Sequence, residues 1–272
     1  MRIARFAAGD EVSYGLVGTA REGSATSPGV APGGEIIAEL AGHPFGGRDS
    51  IRLTGTTYPL ADVRLLAPVL PSKVIGFAKA GPAGGSGTAD GLGDGSVMYL
   101  KPSTAVCGPA DPVQYPAGLA RRVVAQGALA VVIGRLCRQV PPDQAAAVIF
   151  GYTCAADITA RDLEERDGQW ARARGFDTFC PLGPWIETAL DASDLALRTE
   201  LDGEVRQDSR TSLLLHDVGA IIEWITRVMT LRPGDVILTG TPAGVGPMTA
   251  GQTVSVTIEG IGTLTNKVNK GD

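Results

Sequence analysis

Short apolar runs separated by turn-forming residues dominate the first part of the chain. The runs RIARF, SYGLVG, EIIAEL, IRLTG and VRLLAPV alternate with segments rich in Gly, Pro and Ser. Runs of this length between such segments are typical of β-strands. We therefore predict a small β-rich N-terminal domain over residues 1–70, which ends at LLAPVLPSKVIGF, where prolines bracket an apolar run. The remaining residues, 71–272, are predicted to form a second, larger domain.

The hydrophobic pattern of the larger domain predicts mostly strands and one amphipathic helix. KVIGF, VMYLKPSTAVCGP and VQYP are strand-like runs, and LALRTELDGEVRQDSRT is typical of a hairpin whose turn lies at Asp202 and Gly203. DVGAIIEWITRVMTL, which follows His216, has apolar residues at helical spacing and predicts the helix. GQTVSVTIEGIGTLTNKV alternates like a second hairpin, with Gly260 and Gly262 at its bend. The expected fold class is α+β and mainly β.

One segment, residues 151–185, concentrates charged side chains between a strand end, a short helix and a Gly/Pro turn. Asp157 follows the small-residue run CAA and precedes ITARDLEER, so we predict that it caps the helix, with Arg161 one turn further on the same face. Arg174 and Asp177 follow in ARARGFD. A carboxylate and a guanidinium that point together make this segment the candidate site for chemistry.

A purely structural interpretation of the same segment competes with the functional one. In that interpretation Asp157 does no more than cap the helix, and Thr159 and Asp162 form a capping box. Arg161 pairs with Glu165 at i,i+4 on the helix surface. The residues alone favour this structural interpretation.

A glycine-dense segment at residues 80–96 follows the strand KVIGF. Glycine costs about 1 kcal/mol per helical position, so this segment is predicted to be a flexible loop. A phosphate-binding loop is the alternative, but the segment lacks the GxxxxGK[ST] order and no helix-forming sequence follows it. Whether the loop closes over the site is left open by the residues.

Composition and charge restrict the class of partner. The net charge of -5 and the pI near 5.2 give no overall attraction to nucleic acid or anionic membranes, so a small-molecule partner is expected. No window approaches the ~18 apolar residues of a membrane span, and the first residues lack a signal-peptide core, which predicts a cytoplasmic protein. The four cysteines are widely spaced without a CxxC pair, which favours buried thiols over disulfides or a metal cluster.

Four ordered motifs carry a resemblance to a known family. GYTCAADITARD, GFDTFCPLGPW, DGEVRQDSRT and LRPGDVILTGTPAGVG are similar to motifs of the fumarylacetoacetate hydrolase family, which includes acylpyruvate hydrolases, oxaloacetate decarboxylases and related isomerases. The resemblance implies a mixed β-sandwich roll with the active-site cleft in residues 71–272, and a homodimer. It also implies an enzyme that cleaves or rearranges 1,3-dicarbonyl compounds through an enolate.

The chain departs from the family at the positions of the family's catalytic groups. Members usually carry a histidine and a lid glutamate after the strand that corresponds to KVIGF, where this chain has Lys79 as the one ionisable side chain. In the family, two glutamates hold Mg²⁺ or Mn²⁺ together with the aspartate of the GYT motif. The corresponding residues here are Gln126 and Ala128, so that Asp157 alone remains. Because magnesium prefers an octahedral shell of charged oxygen ligands, we predict no tightly bound metal and no cofactor.

Positive charge and scaffold residues remain at the positions that correspond to the family's site. Arg174 replaces a lysine of the family and offers a planar, two-pronged donor. Arginines can stabilise an oxyanion in place of a metal ion, and Arg121 and Arg122 are further candidates, with a solvated role as the alternative. The predicted catalytic residues are Asp157, Arg161 and Arg174, and the predicted substrate-binding residues are Lys79, Lys101, Gln126, Asp177, Thr239, Gly240, Thr241 and Glu259.

Three functions are compatible with these residues, and with the resemblance we favour a pocket that persists in chemically altered form. The leading hypothesis is a metal-independent enzyme that isomerises, cyclises or cleaves a β-keto or enol substrate, such as a polyketide-like intermediate of secondary metabolism. The second is a metal-dependent acylpyruvate-type hydrolase or oxaloacetate-type decarboxylase with substitute ligands. The third is a non-catalytic binding protein that kept the cleft and the dimer.

Overall fold

Most of the described chain forms β-strands. The structure is a computed structural model, and it describes residues 1–20, 33–46, 51–79, 96–241, 244 and 246–271. Its α-helices are α1 (Arg161–Asp167), α2 (Ala171–Arg174) and α3 (Val218–Val228). In chain order the strands are β1 (Arg2–Ala8), β2 (Glu11–Thr19), β3 (Glu35–Leu40), β4 (Leu53–Pro59), β5 (Arg64–Leu66), β6 (Val74–Lys79), β7 (Ser96–Lys101), β8 (Val106–Cys107), β9 (Val113–Tyr115), β10 (Val123–Ile133), β11 (Ile149–Ala160), β12 (Cys180–Glu187), β13 (Ala196–Leu201), β14 (Glu204–Arg210), β15 (Val236–Leu238), β16 (Pro247–Met248), β17 (Thr253–Ile258) and β18 (Gly262–Lys270).

The larger sheet runs without a break from the N-terminal strands to the strands of the candidate site. Its strand order is β4-β3-β2-β1-β12-β11-β10-β15-β6-β7, with β5, β8 and β16 attached beside this path. The N-terminal strands join the path where β1 pairs with β12 through Arg2 opposite Glu187 and Ile3 opposite Ile186. Both segments, residues 1–70 and 71–272, contribute strands to this one sheet. The division of the chain into two domains at this boundary stays a prediction.

A second sheet of five strands, in the order β14-β13-β17-β18-β9, covers the middle of the larger one. Side chains from both layers form the largest core cluster, in which Leu129 and Ile158 of the first sheet lie with Leu197, Val256 and Leu264 of the second. Two sheets that bury one face each against the other form a sandwich. The expected mainly β fold class is confirmed.

Both predicted hairpins are present in the second sheet. Asp202 and Gly203 connect β13 and β14 with φ values of 52° and 79°, as the two central residues of a type I′ turn require. Gly260, with φ of 77°, lies in the turn between β17 and β18. Local turn chemistry therefore determined these two connections.

The long pair β10–β11 forms the centre of the molecule and corrects the prediction for Asp157. Every residue of β10 is buried, and the ladder places Gln126 opposite Asp157 and continues as far as Val123 opposite Ala160. Asp157 is therefore a strand residue, and the predicted helix cap is wrong. The helix cap position is Ala160, and α1 begins at Arg161. Pairing with a fully buried neighbour strand outweighed the local preference of aspartate for a cap.

The predicted capping box is wrong for the same reason. Thr159 lies inside β11 and is fully buried. Asp162 accepts hydrogen bonds from the backbone amides of Arg121, at 2.8 Å, and Arg122, at 3.4 Å. The first turn of α1 is thus attached to the segment that precedes β10.

The predicted amphipathic helix is confirmed as α3. Its N-terminus is capped by Asp217, whose side chain accepts from the amide of Ala220 at 2.8 Å. Ile221, Ile222 and Ile225 are buried against the larger sheet. No helix in the described part of the chain is long and apolar enough to cross a membrane. The predicted flexible loop at residues 80–96 lies outside the described residues, except for Ser96 at the start of β7.

Candidate functional site

The larger sheet is rolled, so that its last strand returns to the strand that carries Asp157. Four strand spacings separate β7 from β11 along the sheet, which is about 19 Å if the sheet were flat. The hydroxyl of Tyr99 on β7 nevertheless donates a hydrogen bond to the carboxylate of Asp157 on β11. Tyr99 and Lys101 are two residues apart and therefore project from the same face of β7, and both are buried.

Asp157 lies among positive groups. Its Oδ2 atom accepts from Tyr99 and from Arg174 Nη1, at 2.7 Å, and its Oδ1 atom lies 2.9 Å from Lys101 Nζ. Burial by itself raises the pKa of Asp157, but the charges of Lys101 and Arg174 and the Tyr99 hydrogen bond outweigh it and lower the pKa below 3.8. The carboxylate is therefore ionised at neutral pH. Burial and the Asp157 charge also raise the pKa of Tyr99 well above 10.0, so the phenol keeps its proton.

Lys101 is surrounded by four oxygen atoms. Nζ donates to the carbonyl oxygens of Ile158, at 2.8 Å, Phe179, at 2.9 Å, and Arg174, at 3.0 Å. An ammonium group has three protons, so these carbonyl oxygens and Asp157 Oδ1, which lies 2.9 Å from Nζ, share them. Apart from the ion pair with Lys101, Oδ1 has no partner in the described protein. The predicted role of Lys101 in binding substrate stays a prediction.

Arg174 ends α2 and is fully buried. Its Nε and Nη2 atoms lie 2.9 Å from Glu164 Oε1, while Nη1 bonds Asp157. The guanidinium carbon lies 3.9 Å from the centre of the Tyr99 ring and 4.8 Å from that of Trp170. Burial lowers the pKa of Arg174, but the charges of Asp157 and Glu164 outweigh burial and raise it. Two carboxylates and two aromatic faces thus hold one permanent cation.

Glu164 connects this buried group to a more exposed one. Its Oε2 atom accepts from Arg161 Nη1 at 2.6 Å, and Arg161 Nη2 lies 3.4 Å from Gln126 Oε1. The Arg161 side chain is 32% exposed, so the polar cluster meets solvent there. The predicted pairing of Arg161 with Glu165 is wrong, because Glu165 pairs with Arg122.

We call these residues the Asp157 network: Tyr99, Lys101, Gln126, Asp157, Arg161, Glu164, Trp170 and Arg174. Three cations of the network face two carboxylates, so one unit of positive charge remains. A site with this balance favours an anionic ligand. The three predicted catalytic residues Asp157, Arg161 and Arg174 are brought together, although Asp157 contacts Arg174 directly and joins Arg161 only through other members.

Sequence analysis missed Tyr99, Glu164 and Trp170. The alternation of the run VMYLK, which places Tyr99 on the face of Lys101, was a usable signal for the first. The spacing of Glu164 three residues after Arg161 was a usable signal for the second. Gly76 on β6 makes room for Tyr99, because a Cβ atom there would overlap the phenol ring.

A divalent metal ion fits this arrangement poorly. The oxygens of Asp157 face Tyr99, Arg174 and Lys101, and the neighbour across the ladder is the neutral Gln126. No group of three or more His, Cys, Asp or Glu side chains in the described residues is placed to hold a metal ion. Magnesium and manganese need several oxygen ligands that are free to turn toward the ion.

The predicted substrate-binding residues Thr239, Gly240 and Thr241 lie along β10. Thr239 Oγ1 donates to Leu129 O at 3.1 Å, and Thr241 Oγ1 donates to Gly127 O at 2.7 Å. Gly240 has φ of 98°, a conformation that glycine adopts without strain. Gln207 of the second sheet accepts from the Gly127 amide and donates to Thr241 Oγ1, both at 2.8 Å. These bonds fix Thr239, Gly240 and Thr241 beside the strand of Gln126, and their contact with substrate stays a prediction.

Asp177 and Glu259 lie outside the Asp157 network, and the side chain of Lys79 lies outside the described part of the structure. Lys79 is the last residue of β6. Asp177 is exposed in the turn before β12. Glu259, in the turn between β17 and β18, accepts from the Ala196 amide at 3.0 Å and lies 3.7 Å from Arg210. Their roles in binding substrate stay predictions.

The predicted buried thiols are confirmed. All four cysteines are free and buried. Burial raises the pKa of Cys154 and that of Cys180 to about 12, which keeps both thiols protonated. A protonated thiol is a weak nucleophile, which argues against a catalytic role for these two cysteines.

Comparison with known proteins agrees with this fold. Protein Rv2993c of Mycobacterium tuberculosis is 51% identical to the chain over 98% of both. A crystal structure of 5-carboxymethyl-2-hydroxymuconate delta-isomerase from Mycobacterium smegmatis has 52% identity and a TM-score of 0.85, over 99% of this chain and 100% of that one. A maleylpyruvate hydrolase from Sphingobium sp. SYK-6, in complex with manganese(II) ion and pyruvate, has 30% identity and a TM-score of 0.75, over 100% of both chains.

Two family models match the chain. Residues 1–68 match the model "Rv2993c-like, N-terminal". Residues 87–269, more than half of the chain, match the model "Fumarylacetoacetate (FAA) hydrolase C-terminal". The predicted mixed β-sandwich roll of this family is therefore confirmed. The chain belongs to the fumarylacetoacetate hydrolase family.

Proposed function

We propose that the protein is a metal-independent isomerase of a small, carboxylate-bearing enol or 1,3-dicarbonyl compound. The excess positive charge of the Asp157 network supports an anionic substrate, and the partly exposed Arg161 is the member that such a substrate meets first. The similarity to a 5-carboxymethyl-2-hydroxymuconate delta-isomerase supports the substrate class and the reaction type. Cyclisation and lyase chemistry on the same class of substrate are the related possibilities from the family.

The observation that carries this proposal is the state of the Asp157 carboxylate. The carboxylate is ionised, its Oδ2 atom accepts from Tyr99 and Arg174, and its Oδ1 atom has the Lys101 ion pair as its one contact with a polar side chain in the described protein. In the proposed reaction the Asp157 carboxylate accepts a proton from the substrate and returns the same proton to a different atom. No water is consumed and no bond between carbon atoms breaks. Such a transfer requires a base within hydrogen-bond reach of the reacting atom.

The guanidinium groups supply the charge stabilisation in this proposal. Asp157 is a weak base because its pKa is lowered, so the substrate must become more acidic when it binds. Arg161 would pair with the substrate carboxylate, and the enolate oxygen would be stabilised by the same positive field of Arg161 and Arg174. Preorganised donors at the place where negative charge develops are the usual source of such acidification. Tyr99, which stays protonated, keeps its hydrogen bond to Asp157 Oδ2 and so orients the carboxylate.

The test is an isomerisation assay on protein freed of divalent ions. Protein dialysed against EDTA is mixed with 2-hydroxymuconate-type enol acids, and conversion to the keto form is followed by ultraviolet absorbance with and without Mn²⁺. Equal rates in both conditions are expected. Arg161→Gln should lower kcat/KM by about 100-fold, while Arg172→Gln, which removes the half-exposed partner of Asp167, serves as the matched control. Turnover that depends on Mn²⁺, or equal rates for both variants, would refute the proposal.

A second candidate function is hydrolysis of an acylpyruvate-type substrate. The similarity to a maleylpyruvate hydrolase solved with manganese(II) and pyruvate favours it. The same assay distinguishes the two functions, because hydrolysis releases pyruvate whereas isomerisation splits no fragment from the substrate. Product formation of either kind would exclude a non-catalytic binding protein. A cytoplasmic homodimer is the proposed state, and light scattering of the purified protein measures the subunit number.

A further inference from the structure

Three side chains of the Asp157 network direct oxygen atoms at guanidinium groups, as metal ligands direct oxygen atoms at an ion. Asp157 Oδ2 lies 2.7 Å from Arg174 Nη1, and Glu164 Oε1 lies 2.9 Å from Arg174 Nε. Gln126 Oε1 lies 3.4 Å from Arg161 Nη2. The places beside these oxygens that a cation could occupy are therefore filled by the chain itself.

The Arg174 guanidinium is fixed on every side. Tyr99 and Trp170 lie against it, at 3.9 and 4.8 Å from their ring centres. The side chain is 1% exposed, and its planar fork reaches Asp157 and Glu164 together. A lysine ammonium is a point charge without such a planar fork, so it would not hold two separate carboxylates in this fixed geometry.

The β10–β11 ladder still places the right positions together for an oxygen cluster. Gln126 is directly opposite Asp157, and side chains of cross-strand partners project from the same face. Ala128, two residues further along β10, projects from that face as well. A carboxylate at position 126 would thus lie beside Asp157, and one at position 128 would extend the cluster.

We propose that the guanidinium of Arg174 is a built-in cation that takes the place of a divalent ion on Asp157 and closes the site to Mg²⁺ and Mn²⁺. The proposal deepens the proposed function, on which it rests for the claim that the reaction proceeds without a metal. In this proposal Arg174, more than the absence of carboxylates at positions 126 and 128, determines whether the site binds a metal ion.

The test is Mn²⁺ binding, measured from the loss of the electron paramagnetic resonance signal of the free ion. The compared proteins are Gln126→Glu, the double variant Gln126→Glu/Arg174→Lys, and the control Gln126→Glu/Arg172→Lys, which changes the exposed neighbour of Arg174 on α2. The double variant with Arg174→Lys should bind one Mn²⁺ per chain about 10- to 100-fold more tightly than the other two. Addition of Ala128→Glu to each protein should strengthen binding without changing this order.

Two outcomes would overturn the proposal. One is equal Mn²⁺ affinity in all three proteins, whether strong or absent, because Arg174 would then not control access. The other is found with the unsubstituted protein, which needs no altered core to fold. If it binds one Mn²⁺ per chain and Asp157→Asn abolishes that binding, the guanidinium does not close the site.

Metal binding and turnover are separate readouts. If the predicted order of Mn²⁺ affinities is found but no enol acid is isomerised, the proposed function fails and the built-in cation stands. If EDTA-treated protein isomerises the substrate while the affinities are equal, the proposed function stands and the inference about Arg174 fails.

Discussion

Tyr99 and Arg174 meet Asp157 at the same atom. The Tyr99 hydroxyl and Arg174 Nη1 both donate to Oδ2, and the guanidinium carbon lies 3.9 Å from the centre of the phenol ring. The Tyr99 ring therefore packs against the Arg174 guanidinium, while its hydroxyl orients the Asp157 carboxylate. Changes that shift the ring should disturb both charges together.

Gly76→Ala is the change that shifts the ring most directly. The new Cβ would overlap Cζ of Tyr99, so the ring must leave its position against Arg174. We expect a loss of about 1 to 3 kcal/mol in the free energy of unfolding, the usual cost of overpacking, together with loss of activity. The measurement is urea denaturation.

Gly18→Ala is the matched control for that substitution, because Gly18 also lies in a strand and a Cβ there meets nothing within 4 Å. It should leave stability within about 1 kcal/mol of the unsubstituted protein. Equal effects of the two substitutions would contradict the proposed contact between Gly76 and Tyr99.

Tyr99→Phe keeps the ring and removes the hydrogen bond. Because the acceptor is a charged carboxylate, we expect a loss of about 1.5 to 3 kcal/mol in the free energy of unfolding. In the near-ultraviolet titration of the tyrosines, the variant should lose a phenol that ionises well above pH 10.0. Tyr58→Phe, in the N-terminal part of the sheet, provides the comparison. A lost phenol that titrates near pH 10 would show that Tyr99 is not buried beside a charged Asp157.

Arg174→Met should be strongly destabilising. The substitution leaves Asp157 and Glu164 buried without their shared cation, and the loss of one partner of a buried ion pair costs about 3 to 5 kcal/mol. Arg172→Met, which removes an exposed partner of Asp167, should leave the free energy of unfolding nearly unchanged. Thermal and urea unfolding of the two variants measure the difference, and similar losses would indicate that the Arg174 cluster is hydrated.

The acid stability of the protein should depend on Asp157. Its pKa is lower in the folded chain than the usual 3.8, so its ionised form stabilises the fold above that pH. This contribution is lost as the pH falls through the lower, folded-state pKa. The difference in unfolding free energy between the unsubstituted protein and Asp157→Asn should therefore be constant near neutral pH and narrow below about pH 3.8.

Asp177→Asn, at an exposed position, is the comparison variant. A difference for Asp157→Asn that grows toward acid pH would mean that the folded-state pKa of Asp157 is raised, contrary to the observed ion pairs.

The parts of the fold that depend on neighbours in sequence could be predicted. The Asp202-Gly203 turn, the helix that begins after Asp217, and the strands of the first 70 residues all follow from short-range patterns. Asp157 could not be placed in this way, because its strand is extended through pairing with β10. A local capping signal carries no information about that partner.

The candidate site was predictable only in part, because its contacts are long-range. Arg161 and Arg174 lie in the segment that the motifs single out, and the network includes them. Tyr99 is 58 positions from Asp157, and the two meet only because the sheet is rolled. No periodicity within β7 or β11 specifies that roll, which depends on the twist and packing of all the strands between them.

The pairing of β1 with β12 covers one end of β12. Without the first strands, β12 would present unpaired amide and carbonyl groups around Ile186 and Glu187. Open edges of this kind are templates for intermolecular β-pairing. A truncated protein that starts near residue 70 should therefore self-associate. In the full chain, the N-terminal segment would reduce aggregation by covering this edge.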